Sequence, residues 1–220
     1  MNLTALSLLL LSKFYLGYLS GPLTDDVFDV LFNLVSGGVI SFLFYFLVVY
    51  VPERRRARIL KDNAIAVYRR LRQNLVTAVV MASVKGGRKD LSTMWDDITR
   101  LTDVEEFRAQ FSSGRHENEG YYAFENQMSG RTYEFEIIIQ DFKILASELN
   151  FFLHNYTGAE ADHFMSLKRL EITLTSLIDS QPGYDESKPL CGFLYRFLAG
   201  FDPLKGYLGR DIYLEALERI

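Results

Sequence analysis

The sequence of 220 residues is poor in several residue types, and each scarcity excludes a class of protein. Its single cysteine, Cys191, excludes an internal disulfide and fits a reducing compartment. Five prolines and 14% aromatic residues argue against a disordered chain. The three histidines, His116, His154 and His163, have no metal-ligand spacing, and no catalytic signature motif is present. We therefore expect a protein that is not an enzyme and has no cofactor or metal.

Charge is scarce in residues 1–51, which contain one basic residue, Lys13, and three acidic residues. An apolar run over residues 3–19 would be about 25 Å long as a helix, and the run over 27–51 would be about 37 Å long. The hydrocarbon core of a bilayer is about 30 Å thick. We expect a transmembrane helical hairpin in residues 1–52, with spans at about 3–20 and 27–51. A cleaved signal peptide is the alternative for the first run, but Lys13 interrupts that run.

Four arginines follow the second span and predict its orientation, because cytoplasmic loops are enriched in Lys and Arg. They are Arg54, Arg55, Arg56 and Arg58, which we interpret as contacts to membrane lipids. The connection over residues 21–26 carries only acidic charge. Both termini are then cytoplasmic, in a two-pass membrane protein.

Two features of the hairpin suggest more than simple anchoring. Lys13 and Asp29 lie at similar depths, about 10 and 7 Å below the outer ends of their spans, and are a candidate intramembrane charge pair. The alternative is that each side chain reaches the outer interface alone. A face of small residues lets helices approach closely, either within one hairpin or between the copies of a homo-oligomer. It consists of Ser36, Gly37, Gly38 and Ser41.

The charge of the remaining chain is strongly asymmetric. Residues 53–89 contain 11 basic and 2 acidic residues, a net charge of +9, whereas residues 90–220 have a net charge of −11. The basic segment is interpreted as a juxtamembrane helix and loop that contacts anionic lipid. A phosphate contact to nucleic acid is the alternative, and an acidic body could also fold back onto the basic segment. The candidate nucleic-acid contacts are Arg69, Arg70, Arg72, Lys85, Arg88 and Lys89.

The cytoplasmic part is predicted to be helical from its beginning. A helix over residues 57–84 should end at Gly86-Gly87, and a short helix over 90–101 should carry Trp95. We interpret the acidic pair after Trp95 as helix-surface charge rather than a metal site. Thr102 and Glu105 have capping-box spacing and should open the next helix. Residues 121–136 fit either a helix or a β-hairpin.

Apolar residues at alternating spacings of three and four predict a long helix over 132–156 and another over 159–180. Two short helices follow at 190–199 and 211–220. The apolar stripe is interpreted as the core of a helical bundle, with a coiled coil between subunits as the alternative. The expected fold is all-α: the hairpin, the basic segment 53–89, and a cytoplasmic helical domain over 90–220.

The apolar hairpin is followed by the exit VPERRRARI at 51–59 and later by the segment LCGFLYRFLAGFDPLKGYLG at 190–209. This layout resembles the membrane-effector proteins of bacterial anti-phage systems, in particular the Ec48-type retron effector family. The resemblance implies an abortive-infection toxin that a partner complex of reverse transcriptase and RNA-linked DNA holds inactive, and that disrupts the inner membrane when released. It implies no catalytic residues.

Two other functions stay open. A CRISPR-associated membrane effector gated by a cyclic oligonucleotide would have a similar hairpin, with the ligand bound near Arg69–Lys89. A passive membrane-anchored interaction protein would have the same layout without toxicity.

Overall fold

The computed structural model describes residues 22–112, 119–156 and 161–220, which are mostly helical as the all-α prediction expected. A π-helical turn, Phe46–Tyr50, lies between the first two helices, and a 3-10 turn, Glu119–Tyr121, precedes the fifth. The α-helices of this part are α1 (Pro22–Tyr45), α2 (Val51–Lys85), α3 (Trp95–Arg100), α4 (Val104–Phe111), α5 (Tyr122–Met128), α6 (Tyr133–Asn155), α7 (Ala161–Leu177), α8 (Lys188–Leu198) and α9 (Ile212–Arg219).

The chain divides into two units, the first ending at Arg58 and the second spanning Ile59–Ile220. In the first unit, α1 and the π-helical turn cover the second predicted span. The helix begins at Pro22, a residue whose fixed backbone angle and missing N–H suit a first helical position. The first predicted span, residues 3–20, lies outside the described residues, so the hairpin stays a prediction.

The second unit, called the helical domain below, is built around one apolar core. The predicted stripe of α6 is buried as expected, with Phe135, Ile138 and Phe142 at 3% exposure or less. Helix α7 packs against α6 and buries four leucines that the spacing had picked out. The residues that link these two helices, 157–160, are not described. The core is closed by α2 and by the last two helices.

Helix α2 ends at Gly86-Gly87, as predicted. The N–H of Arg88 donates to the carbonyl of Ser83, at 3.0 Å, and the N–H of Gly87 donates to that of Val84 at the same distance. This pair of bonds is a Schellman motif, and Gly87 supplies the positive φ of 101° that the motif requires. Gly86 is needed for a different reason, because a Cβ there would collide with the backbone of Ala123.

Two predicted helix starts are wrong. The cap of α4 is Asp103 rather than Thr102: its carboxylate accepts the N–H groups of Glu105 and Glu106 at 3.0 and 3.1 Å. The Thr102 hydroxyl donates instead to the carbonyl of Thr99, at 2.7 Å. Helix α3 begins at Trp95, because Asp90 is held outside the helix by hydrogen bonds from Arg88 and Gln110.

The segment that fitted helix or β-hairpin is helical, with α5 and the start of α6 on either side of a short turn. The only strands of the described chain lie later, in the segment between α8 and α9. They are β1 (Phe201–Asp202) and β2 (Gly206–Tyr207), which pair antiparallel with Phe201 opposite Tyr207.

Candidate functional site

Helix α1 is strongly apolar, and the residues that the structure describes do not bury its apolar surface. Its segment contains an 18-residue window of mean hydropathy 2.2, and none of that window is buried. Large side chains such as Leu34, Ile40 and Phe44 are 66–73% exposed. A helix that is hydrophobic all round belongs in a protein core or a membrane. By length and composition it is the one described helix that can cross a membrane.

The small-residue face is open on this helix. Gly37, Gly38 and Ser41 are exposed, and Ser36 is half-buried. A Cβ added at Gly37 or Gly38 would meet no atom within 4 Å. The glycines therefore serve no packing need among the described residues.

The four predicted lipid contacts, Arg54, Arg55, Arg56 and Arg58, are all exposed. Phe42, Phe46 and Tyr50 form a column of stacked rings just before them, with centroid separations of 6.4 and 5.4 Å. The guanidinium of Arg54 lies 5.3 Å from the ring centre of Tyr50. Aromatic rings followed by arginines are the side chains found at a membrane–water interface.

The predicted charge pair falls partly outside the described residues, because Lys13 is not among them. Asp29 is on α1 and exposed. The pairing itself stays a prediction.

Several of the predicted nucleic-acid contacts are neutralised by the acidic body. Arg69 pairs with Glu218 at 2.7 Å, Lys85 pairs with the buried Glu134, and Arg88 pairs with Asp90. The Arg88 hydrogen bond lowers the pKa of the Asp90 carboxyl. Fold-back of acidic residues onto the basic segment was one of the expected arrangements, and it is observed for Arg69 and Lys85, whereas Arg88 pairs with a carboxylate two residues along the chain.

The other three predicted nucleic-acid contacts differ in how exposed they are. Arg70 and Lys89 are exposed, so their prediction as phosphate contacts is untouched. Arg72 is 5% exposed, and its prediction as a surface contact is wrong. The side chain turns inward because the core offers its guanidinium several acceptors.

Arg72 is the centre of a buried polar network that joins α2 to the C-terminal segment. Its Nη1 lies 3.1 Å from Oδ2 of Asp211, and its Nη2 donates to the carbonyl of Leu198 at 2.8 Å. Its Nε donates to the carbonyl of Thr102 at 3.2 Å. The guanidinium thereby satisfies carbonyls at the ends of helices, including the last turn of α8.

Asp211 has two functions in the same network. It accepts the hydroxyl of Tyr68 at 2.8 Å and the N–H groups of Tyr213 and Leu214 at 3.1 Å, which makes it the N-cap of α9. Burial, and then the neighbouring Asp211 carboxylate, raise the pKa of Tyr68 well above its ordinary value. The tyrosine therefore stays protonated and acts as a hydrogen-bond donor.

Sequence reasoning missed this network. A signal was present, because Arg72 lies among leucines that belong to the buried face of α2 and Asp211 directly precedes an amphipathic helix. The sequence around each residue does not indicate that Arg72 and Asp211 pair, because they lie far apart along the chain. The network stabilises the fold and shows no group positioned for catalysis.

The described residues form no metal-binding cluster, and the thiol of Cys191 is buried. No group of three or more His, Cys, Asp or Glu side chains is placed in that part of the chain to hold a metal ion. Cys191 is 1% exposed, and its burial raises the pKa of the thiol to about 12. His154 shares a hydrogen bond of 2.8 Å with the carbonyl of Asn150, within its own helix.

No protein-family model, curated protein or solved structure matches this chain.

Proposed function

We propose that this protein is a membrane effector of a bacterial anti-phage system of the retron type. The observation that carries the proposal is α1, an apolar helix with no buried window that is followed by four exposed arginines. Exposed apolar surface of this extent is stable in lipid and unfavourable in water. The anchor is a two-pass hairpin in the inner membrane, with both termini in the cytoplasm.

The proposed activity is disruption of the inner membrane by several copies of the hairpin. A two-helix unit is too small to enclose a conducting pore, so the copies must assemble. The face around Gly37 and Ser41 supports assembly, because its backbone can be approached closely by another helix. A partner complex of reverse transcriptase and RNA-linked DNA holds the effector inactive, an element that comes from the family resemblance.

Assembly is tested by expressing the protein alone in bacterial cells and recording depolarisation with a membrane-potential dye. We expect the natural protein to depolarise cells. Gly37→Leu should reduce depolarisation, because the added side chain separates the helices, and Ile40→Leu is the matched control on the same helix. Equal depolarisation by Gly37→Leu at equal membrane abundance would remove this face from the mechanism.

The same expression experiment distinguishes the effector from a passive anchor. A natural protein that reaches the membrane and leaves the membrane potential unchanged would contradict the proposal. The topology is tested separately with alkaline phosphatase fused after Ile220. The fusion should be inactive, since the enzyme works only outside the cytoplasm, and an active fusion would contradict the hairpin.

The Lys13–Asp29 pair is tested by a double-mutant cycle. If the two charges pair, Lys13→Leu and Asp29→Leu each leave one charge without its partner, and the double variant should depolarise more than either single one. In an apolar setting, the attraction between two paired charges is about as large as the free-energy cost of taking both out of water. Strictly additive effects would show that the two side chains act separately.

A membrane effector gated by a cyclic oligonucleotide, bound near Arg69–Lys89, is the less favoured alternative. Of the six cations in residues 69–89, Arg72 is buried and three others pair with carboxylates of the same chain. Adding cyclic oligoadenylate to the full-length protein should produce no saturable binding. Saturable binding that Arg70→Glu and Lys89→Glu abolish would favour that alternative instead.

A further inference from the structure

The helical domain has a groove of about 780 Å³ that the proposed membrane activity does not use. It lies along α7 and is bounded by α8, the turn between β1 and β2, and the start of α9. A concave site of this size can accept a small ligand or a side of a partner helix. The chemistry of its floor and rim distinguishes these occupants.

The floor is a set of aromatic rings packed on one another. Phe193 stacks on Phe197 with centroids 5.8 Å apart, and Phe197 stacks on Tyr213 at 5.7 Å. Phe197 is only 3% exposed, because its neighbours cover its ring. The floor is therefore rigid and apolar, but the covered ring faces are not free to stack on a nucleobase.

The exposed apolar surface of the groove is aliphatic. Leu204 is 84% exposed, Ile172 is 57% exposed and Met165 is 49% exposed. Leu204 is held in place by its turn, because the Asp202 carboxylate accepts the N–H groups of Leu204 and Lys205 at 2.8 and 2.9 Å. Exposed aliphatic side chains on a rigid support are suited to contact with a protein surface.

The groove lining carries a net charge of +1, from three cations and two carboxylates. Arg169, Arg196 and Lys205 line it, and none of the three forms an ion pair with a residue that the structure describes. Arg196 donates to the carbonyl of Gly192 at 2.9 Å, within its own helix. The lining also contains Asp162 and Asp202, and the second of these carboxylates is engaged by its own turn.

Helix α7 presents these groups in a helical pattern. Met165, Arg169 and Ile172 are spaced at i, i+4 and i+7, so they share one face over about 10 Å of the helix axis. A second helix lying along this face would place its own apolar residues between them. Its flanking residues would meet the three cations, which favours acidic side chains there.

We infer that this groove docks the apolar face of an acidic amphipathic helix from a partner protein. Nucleic acid fits the cations but not the aliphatic rim. The inference goes beyond the proposed membrane activity and does not depend on it, because every residue it uses lies in the helical domain.

The test uses the full-length protein in nanodiscs of zwitterionic lipid and a fluorescent synthetic helix. The probe has about 18 residues, or five turns, with Leu at i, i+3, i+4 and i+7 and Glu elsewhere. A matched peptide carries Lys in place of Glu, and empty nanodiscs measure binding to lipid alone. We expect saturable binding of the acidic peptide to the protein and clearly weaker binding of the basic peptide.

Substitutions then locate the site. Arg169→Glu with Arg196→Glu should weaken binding of the acidic peptide about tenfold or more, because two attractive charges in the groove become repulsive ones. Leu204→Asp should also weaken it. Lys143→Glu and Tyr133→Asp, on exposed positions of α6, are the matched controls and should change it little. Circular dichroism of each variant confirms that it is folded.

Three results would overturn the inference. They are binding no greater than that of empty nanodiscs, equal binding of the acidic and basic peptides, and unchanged binding by the folded groove variants. Displacement of the peptide by single-stranded oligothymidine at equal concentration would identify the groove as a nucleic-acid site instead. None of these results bears on depolarisation, so the membrane proposal stands or fails separately.

Discussion

Helices α1 and α6 are nearly equal in length, 24 and 23 residues, yet they differ in what covers them. Helix α6 buries eleven side chains against its own chain. In α1 no described side chain is buried. The difference lies in the arrangement of the apolar residues: a stripe leaves a polar face for water, whereas an apolar surface all round requires an apolar surrounding. The described part of the chain buries the apolar stripe of α6 and leaves the apolar surface of α1 exposed.

The reactivity of Cys191 is the most sensitive measure of how closed the helical domain is. Its pKa of about 12, against an ordinary value of 9.0, lowers the thiolate fraction at neutral pH about 1,000-fold. We expect a thiol reagent such as dithionitrobenzoate to react with the unfolded chain and hardly at all with the native one. Because the chain has one cysteine, every reacting thiol reports this site. Rapid reaction of the native protein would contradict a closed core.

Removing Arg72 should strongly destabilise the helical domain. Arg72→Met leaves the Asp211 carboxylate buried without its cation, which costs about 3–5 kcal/mol. The midpoint of urea denaturation, followed by circular dichroism, measures the loss. Arg70→Met, on an exposed position of the same helix, is the control. If Arg72→Met denatures at the same midpoint as this control, the network does not hold the domain together.

Replacing a glycine by alanine should be unfavourable at Gly86, in the helical domain, and slightly favourable at Gly37, in α1. Gly86→Ala places a methyl group against the backbone of Ala123 and should lower stability by about 1–3 kcal/mol. Gly37→Ala, in α1, meets no atom within 4 Å and should increase helix content slightly. Gly192→Ala, inside α8 and equally open, provides a control within the helical domain. Equal melting temperatures for Gly86→Ala and Gly192→Ala would contradict this packing.

The smallest expected effect concerns Asp141, a buried carboxyl on α6. Burial raises its pKa, although a hydrogen bond from Asn74 and the charge of Arg70 oppose the shift. A carboxyl whose pKa is higher in the folded state than in the unfolded state destabilises the fold when it is ionised. The loss of stability is complete above the folded-state pKa and absent below the unfolded-state pKa. Asp141→Asn should therefore raise stability, and with it Tm, at neutral pH.

The pH dependence separates this cause from general packing. The advantage of Asp141→Asn should disappear as the pH falls toward 3.8, the ordinary pKa of the group. Melting curves of both proteins across the acidic range measure it. An advantage that is constant over the whole range would show that ionisation of Asp141 is not responsible.

The elements of this fold were largely predictable because their signals are local. The stripes of α6 and α7, the apolar run of α1 and the glycines after α2 each specify a structure within a few turns. The start of α4 was not predictable in the same way. Thr102 and Asp103 are both good caps, and the choice depends on the Thr102 hydroxyl bonding back to Thr99.

The sequence by itself determined that α1 needs an apolar surrounding, that the body is helical, and that basic and acidic residues are segregated along the chain. Only the tertiary structure decided which charges meet, because Arg69 pairs with Glu218 across 149 residues of sequence. It also brought α7, α8 and the Leu204 turn together around one groove. Periodicity is a property of neighbouring residues, whereas the environment of a charge depends on parts of the chain that only folding brings near.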